Sequence, residues 1–285
     1  MKKYNYVKQY VSNNELLNSY HDFTQQIFSF DLSTWKEKGY WGNNYIPHSF
    51  VLNGKVIANI SACIMNIQLK GNHLKSIQLG SVGVLEDFRG NGFARILMEK
   101  VKEEYKDFPL IFLFASEDVS KFYTKLGFKR VDEITPFFKV ENDNSYRIAE
   151  KLSLESNILK ELVQAKANYS SILDARNNPD IYWFHLLYRY KNDIYYIKEY
   201  NTIFIAKYNN NLVKLYDILT DRDISFNDII NYIAKKDSKL VEFYFTPDWL
   251  KINYSTKPYN KNALYVYGPL SDMIKGNRFP TTSST

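Results

Sequence analysis

The sequence predicts an α+β fold, built twice in succession, in which hairpin-connected strands pack against helices. Three observations predict it. Short apolar segments of strand length alternate with stretches of helical spacing. Asn53-Gly54 falls between two apolar runs, and Asn-Gly is a strong hairpin signal because a type I′ turn needs positive φ at both central residues. The order of elements in the first half recurs in the second: three strands in hairpin connection, a helix, a buried strand. The 285 residues, 45% of them hydrophobic, are enough for two cores.

Taken in order, Asn14 to Phe28 carries Leu16, Leu17, Tyr20, Phe23, Ile27 and Phe28 at helical spacing, with Ser12 or Asn13 as N-cap. Leu32 to Pro47 is rich in Gly and aromatics and reads as a loop or short helix with a job at the surface. Ser49–Leu52, Lys55–Leu69 and Ser76–Leu85 follow as strands, the last two joined by a turn at Lys70-Gly71-Asn72. Glu86–Asn91 is a polar loop and Gly92–Tyr105 a helix. Pro109–Ala115 is almost wholly apolar, as for a strand buried on both faces. Asp118–Leu126 is a short helix closed by Gly127, a natural residue just past a helix end. Lys129–Val131 and Phe137–Val140 complete the first set of strands.

The polar run Glu141–Ser145 is the expected boundary, giving domains of residues 1–142 and 143–285. Beyond it, Leu152–Leu173 reads as one long helix. Strands are expected at Ile194–Tyr200, Ile203–Tyr208, Leu212–Ile218, Leu240–Phe245 and Ala263–Tyr267, with a helix over Phe226–Ala234 capped by Ser225. The aromatic stretch Tyr182–Tyr190 reads as a helix packed between the two halves. The polar tail after Phe279 is expected to be loose.

Composition excludes several classes of function. Cys63 is the only cysteine, so there is no disulfide framework and no cysteine-based metal site. The four histidines show no ligand spacing, and no metal is expected. The net charge of +6 is spread over both halves and forms no basic run, which speaks against nucleic acid. The N-terminus lacks the apolar core of a signal peptide, and no apolar run reaches the ~20 residues that span a membrane. A soluble, cytoplasmic protein without membrane partners is the expectation.

The segment Val82–Ala94 (VGVLEDFRGNGFA) carries the chemistry. A strand ends, a loop with two glycines turns, and a helix starts at once. Glycines permit positive φ and close approach of a ligand. The helix start offers unpaired N–H groups and positive potential. Such a loop suits a phosphate. It is not a Walker loop, which needs Gly-Lys-Ser/Thr. It is not a dinucleotide fingerprint either, because Arg95 stands where the third glycine belongs.

At these residues the sequence resembles the GNAT superfamily of N-acetyltransferases, whose motif is Arg/Gln-x-x-Gly-x-Gly/Ala. Arg89-Gly90-Asn91-Gly92-Phe93-Ala94 matches it in full, and Phe122-Tyr123-Thr124-Lys125-Leu126-Gly127-Phe128 resembles a second family signature. The resemblance covers residues 1–142 and implies a three-layer fold, a mixed, mostly antiparallel sheet flanked by helices. It implies that amides from Gly90 to Arg95 (with Asn91, Gly92, Phe93 and Ala94 between them) hold the pyrophosphate of acetyl-coenzyme A, beside Arg89. It implies that Val82 and Val84 pair with the pantetheine arm on a bulged strand, for which Gly83 is suited. Tyr123 is implied as the general acid, and Ser116 stands where many members carry an asparagine that contacts the cofactor or a water.

A lysine-acetylating branch of the family places a glutamate base where this chain has Gln78. Gln cannot take a proton at neutral pH, so the base lies elsewhere, water serves, or the acceptor is weakly basic. Glu117, Asp118 and His48 are the remaining candidates, each more readily explained as a helix cap or a structural residue. The second half has no glycine in the corresponding loop, Thr220–Asp223. This tandem arrangement resembles the enhanced-intracellular-survival type of acetyltransferase, without its further sterol-carrier-like domain. The expected activity is acetyl transfer to a primary amine, with a small-molecule acceptor as partner. The alternative is a non-catalytic sensor of acetyl-coenzyme A; a nucleic-acid-linked acceptor and a longer acyl donor are weaker readings. Whether the protein is an oligomer is left open.

Overall fold

The computed structural model describes residues 4–141, 145–166, 169–176, 178–259 and 263–285. In chain order the first half holds β1 (Asn5–Lys8), α1 (Asn14–Phe28), α2 (Ser33–Glu37), β2 (Tyr45–Leu52), β3 (Lys55–Leu69), β4 (Asn72–Val84), α3 (Phe93–Glu104), β5 (Leu110–Ala115), α4 (Ser120–Lys125), β6 (Lys129–Val131) and β7 (Ile134–Lys139). The rest holds β8 (Glu150–Lys151), α5 (Asn157–Gln164), β9 (Leu173–Arg176), α6 (Pro179–His185), β10 (Ile194–Ile197), β11 (Thr202–Asn209), β12 (Leu212–Thr220), α7 (Phe226–Ile233), β13 (Leu240–Phe243), β14 (Ser255–Pro258), β15 (Ala263–Tyr267) and α8 (Ser271–Ile274). Among the described residues no helix is long and apolar enough to cross a membrane.

Local chemistry sets most of these elements. Asn53 and Gly54 take φ of 50° and 77°, and the β2–β3 hairpin closes on them. The Asn13 side chain accepts from the Leu16 amide at 3.1 Å and starts α1. The inward face of α1 buries Leu17, Tyr20 and Phe23. Ser225 and Asp228 form a reciprocal capping box at the start of α7.

Two mixed, mostly antiparallel sheets result, flanked by helices. The first has eight strands in the order β1-β2-β3-β4-β5-β15-β6, with β9 on β3; the second has seven, β14-β7-β13-β12-β11-β10-β8. Each contains one parallel pair joined through a helix: β4–α3–β5 in the first and β12–α7–β13 in the second. This is the repeat of pattern seen in the sequence.

Sheet membership does not follow the division expected at residue 142. β7 pairs with β13 and β14 in the second sheet, whereas β15 lies between β5 and β6 in the first. Each half therefore completes the other's sheet. Residues 142–144, within the expected boundary run, lie outside the described residues. Leu264, Tyr265 and Val266 of β15 are fully buried, as a central strand requires.

The long helix expected over 152–173 is not formed. Among the described residues of that span only α5 is helical, and Leu173 opens β9, which pairs with Asn66–Leu69 of β3 beyond the end of β2. Ser156 caps α5 at its start, and past its end the Ser170 hydroxyl accepts from the amides of Ile172 and Leu173, a local turn that competes with a helix. The aromatic stretch does pack between the halves. Trp183 stacks on Tyr40 at 4.3 Å, the Trp35 indole donates to the Asp180 carbonyl at 2.9 Å, and the Trp35 amide donates to the Tyr188 hydroxyl at 3.1 Å.

Candidate active site

The site begins with a fault in β4. Ser81 and Val82 stand opposite the single residue Ile60, between the pairs Gly80–Ser61 and Gly83–Asn59. This is a β-bulge, and such faults re-aim a strand. Gly83 is the position expected from the sequence; the structure places the bulge at Ser81, which takes φ of 46°. Buried polar side chains stabilise that conformation. The Asn59 amide donates to the Ser81 carbonyl at 2.9 Å and to the Ser61 hydroxyl at 3.0 Å, and Tyr45 and Ser81 share a hydroxyl contact of 2.8 Å. Gly83 serves packing instead. A Cβ there would lie 3.0 Å from Ile27 and 3.2 Å from Phe23, so its absence lets α1 pack on the strand.

Past the bulge the sheet opens. β4 and β5 pair only over Ser76–Leu79 and Leu110–Leu113. Beyond that β4 stays with β3 as far as Val84, while β5 stays with β15 as far as Ala115. A cavity of about 440 Å³ fills the gap. Val82 and Ser116 line it from the two sides, and Tyr123 lies at its wall. The Leu85 amide donates to Ile57 on β3, so strand alternation turns the Val84 and Val82 peptide groups toward the opening. The Val84 carbonyl is already engaged by the Arg89 guanidinium at 3.3 Å.

The loop after β4 is open. Gly90 and Gly92 take φ of 79° and 76°, and a Cβ on either would meet nothing within 4 Å. Asn91 closes the turn by donating to the carbonyls of Phe88 and Arg89 at 3.1 and 3.2 Å. No side chain caps α3, so the first-turn amides of Phe93, Ala94 and Arg95 face an exposed loop. Phe93 anchors the helix against Phe50 and Tyr4, and Arg95 pairs with Glu99 at the surface. An uncapped, positively biased helix start with two side-chain-free positions fits a diphosphate.

Tyr123 sits on α4 with its ring against Phe128 and Tyr265. Burial, helped by Tyr265, pushes its hydroxyl up to about 12. Tyr265 belongs to β15, and the ring of Tyr267 on the same strand comes within 3.3 Å of where Gly127 would carry a Cβ. The exchanged strand thus supports the whole Phe122–Phe128 motif.

The other candidates lie away from the cavity. Glu117 pairs with Arg130 at 2.6 Å in solvent, and Asp118 does not line the cavity. His48 is buried on β2 between Tyr6, at 2.7 Å, and Tyr105, at 3.2 Å; burial lowers it to about 4 against the opposing pull of Glu104. It is a structural residue. Gln78 is buried and used. Its amide donates to the Ser283 carbonyl at 3.4 Å, and its carbonyl accepts from the Thr285 amide.

The tail, expected to be loose, is buried instead. Thr282 donates to Asp217 at 2.7 Å, the Phe279 amide donates to Glu133 at 2.9 Å, and His185 donates through Nε2 to the Ser284 carbonyl at 2.6 Å. Thr285 then lines the cavity beside Gly80, where a Cβ would come within 2.8 Å of its hydroxyl. Small hydroxyl residues look like a solvated tail in sequence, yet they bury easily once each finds a partner.

The family model described as an acetyltransferase (GNAT) domain matches residues 16–131, a span that contains the bulge, the glycine loop and Tyr123. The chain carries a GNAT acetyltransferase domain. It is thereby an acyltransferase of the GNAT type. Solved structures of the same fold extend the likeness to both sheets. One is a conserved protein of Enterococcus faecalis described as a probable N-acyltransferase, 12% identical with a TM-score of 0.63, covering 93% of this chain and 72% of that one. Another is a GCN5-related N-acetyltransferase from Kribbella flavida, 11% identical with a TM-score of 0.58, covering 93% and 71%. A third is Eis1 from Mycobacterium abscessus, 11% identical with a TM-score of 0.57, covering 92% of this chain and 73% of that one. At such identities the likeness is one of fold. No curated protein matches the chain. The second sheet of this GNAT chain lacks the glycine loop: its counterpart carries Asp221 and Asp223, which repel phosphate.

Proposed function

We propose that the protein transfers the acetyl group of acetyl-coenzyme A to the primary amine of a small molecule, by direct attack with both substrates bound. The observation that carries this reading is the splayed, bulged β4 beside β5, with Val82, Ser116 and Tyr123 on one cavity. Acetyl-coenzyme A supplies an activated acyl group: the nitrogen–carbon bond forms as the carbon–sulfur bond breaks, and an amide and a free thiol result.

The chain's residues have the following parts. The uncapped amides from Gly90 to Arg95, with Arg89, bind the diphosphate. The peptide groups of Val82 and Val84 hold the amide arm as an added strand would, and the Val82 N–H faces oxygen as it gains charge. The Ser116 hydroxyl hydrogen-bonds that arm or a water. Tyr123, fully protonated at neutral pH, donates its proton to the departing sulfur. The proton lost by the amine nitrogen returns to Tyr123 through solvent, so no net proton is consumed. The second half serves as the wall of the acceptor side, through Ile181, Phe184 and Arg189.

The test is thiol release from acetyl-coenzyme A over a panel of amines, run beside an Arg89→Ala, Gly92→Trp double variant and with calorimetric binding of the cofactor. Release stimulated by one acceptor class and lost in the variant supports the reading. Binding without any stimulated release supports a sensor instead, and no binding overturns both.

A further inference from the structure

Four elements bring hydroxyls together under the bulge: Tyr20 of α1, Tyr45 of β2, Ser61 of β3 and Ser81 of β4. Ser61 and Tyr20 lie 2.9 Å apart, Tyr20 and Tyr45 3.5 Å, and Tyr45 and Ser81 2.8 Å. Tyr20 and Ser61 are fully buried and Tyr45 nearly so. Ser81 is half-buried and lines the cavity. The row therefore runs from the core to the cavity, and Asn59 closes its inner end.

Asn59 gives the row a direction. Its side-chain nitrogen faces the Ser81 carbonyl, which can only accept, at 2.9 Å, and its side-chain oxygen accepts from the Ser49 hydroxyl at 2.8 Å. The same nitrogen must then donate to the Ser61 oxygen, at 3.0 Å. Among the hydrogen bonds of the described residues, Tyr20 is the remaining partner of Ser61 and takes its hydrogen. Tyr20 then donates to Tyr45, and Tyr45 to Ser81. Only this order gives each buried hydroxyl hydrogen an acceptor. Burial pushes both phenols up, so they keep those hydrogens in the neutral range. Ser81 already accepts from Tyr45, and its own hydrogen is left for the cavity.

Such a row does not carry a proton away from the reaction, because the amide of Asn59 at its inner end neither gives nor takes one at neutral pH. It polarises instead, since hydrogen bonds in a chain strengthen one another. An O–H held toward the cavity suits an oxygen that gains charge, and opposes an ammonium or an N–H. In the proposed transfer that oxygen is the thioester carbonyl. The Val82 N–H, from the next residue of the same bulge, is turned toward the opening that receives it. Backbone and side-chain donors together make effective sites for such an oxygen.

Resting on the proposed acetyl transfer, we propose that the Ser81 hydroxyl is a second donor to the thioester oxygen, beside the Val82 N–H, and is oriented by the row from Asn59 through Ser61, Tyr20 and Tyr45. As the amine nitrogen bonds to the carbonyl carbon, the carbonyl electron pair moves onto the oxygen and both donors tighten on it. Its return expels the sulfur, which takes the Tyr123 proton, while the proton of the nitrogen passes to solvent. Ser81 keeps its proton throughout. Tyr45, Tyr20 and Asn59 are positioning residues.

The experiment compares wild type with Ser81→Gly and Ser81→Ala, which both lack the hydroxyl but differ in backbone freedom at a φ of 46°. Thiol release over the amine panel gives kcat and KM, and calorimetry gives the affinity for acetyl-coenzyme A. Infrared difference spectra of bound acetyl-coenzyme A, isotope-labelled at the thioester carbonyl, read the hydrogen bonding of that oxygen with no acceptor present. Both variants should lose about a hundredfold in kcat, as when one oxyanion donor is removed. Their affinity for acetyl-coenzyme A should stay within about twofold, and the carbonyl band should move to higher frequency in both. Tyr45→Phe, which keeps the ring and cuts the row, should move kcat and the band in the same directions by less. An unchanged kcat, a loss confined to one of the two Ser81 variants, a loss matched in affinity, or a band insensitive to Ser81 overturns the inference and leaves acetyl transfer standing. A Ser81-dependent band with no amine turned over supports the hydrogen bond and overturns the transfer reaction. Absence of acetyl-coenzyme A binding overturns both.

Discussion

Gln78 and Thr285 stand 207 residues apart in the chain, yet the side-chain carbonyl of Gln78 accepts a hydrogen bond from the Thr285 amide inside the first sheet. This contact, with the Gln78 donation to Ser283, fixes the last residues at the cavity. Gln78→Leu keeps the volume but strands the Ser283 carbonyl and the Thr285 amide. An unsatisfied buried group costs about 1–3 kcal/mol, so thermal unfolding should shift down by several degrees. Turnover should fall with it because the cavity wall loosens. An unchanged melting temperature would show that the tail docks without Gln78.

Tyr123→Phe removes one oxygen and leaves the aromatic contacts with Phe128 and Tyr265 in place. Loss of a general acid typically costs a factor of about 10² to 10⁴. The variant should therefore bind acetyl-coenzyme A with wild-type affinity while kcat drops at least a hundredfold. Since burial lifts the wild-type hydroxyl to about 12, the wild-type rate should show no loss from Tyr123 ionisation below about pH 11. Parallel loss of binding and turnover would argue for a packing role only.

Two buried histidines give the fold an acid limit. Burial lowers His48 to about 4, opposed by Glu104, and lowers His185 to about 3, with Arg189 adding to the effect and the Ser284 carbonyl opposing it. Both folded values lie below the ordinary 6.5, so the unfolded chain binds these protons first. Their contribution to stability is complete above about pH 6.5 and is lost as pH falls toward 4 and then 3. Denaturant midpoints measured from pH 7.5 to 4 should fall by the equivalent of a few kcal/mol. His48→Gln should flatten the upper part of that fall.

The strand exchange makes a fragment of residues 1–142 incomplete. It would lack β15, leaving the edges of β5 and β6 bare and Tyr123 without Tyr265 beneath it. Exposed apolar edges aggregate. The fragment alone should be insoluble or unfolded by circular dichroism, and co-expression with residues 143–285 should rescue it. A folded, cofactor-binding fragment would show that β15 is dispensable.

The glycine loop, the Phe122–Phe128 motif, α1, α3, both hairpin turns and the two-fold order of elements are legible in the residues. Each is specified within about a dozen positions, by caps, by positive-φ turns and by apolar period. The pairing of β15 with β5 and of β7 with β13 is not legible, because strand partners chosen across the chain leave no local mark. The same holds for the bulge. Sequence points to the permissive Gly83, but the fault sits at Ser81, where the distant Asn59 and Tyr45 supply the hydrogen bonds. The helix over 152–173 is confined to Asn157–Gln164, and further on the Ser170 hydroxyl accepts from two amides in a local turn before β9. The tail reads as loose in sequence, yet polarity indicates solvent only when no buried partner waits. Sequence alone therefore determined the glycine loop between β4 and α3 and the Phe122–Phe128 motif, both local in the chain. Tertiary structure decided the cavity, since its wall joins Phe28, Trp35, Phe184 and Thr285 from segments that only the packed halves bring together.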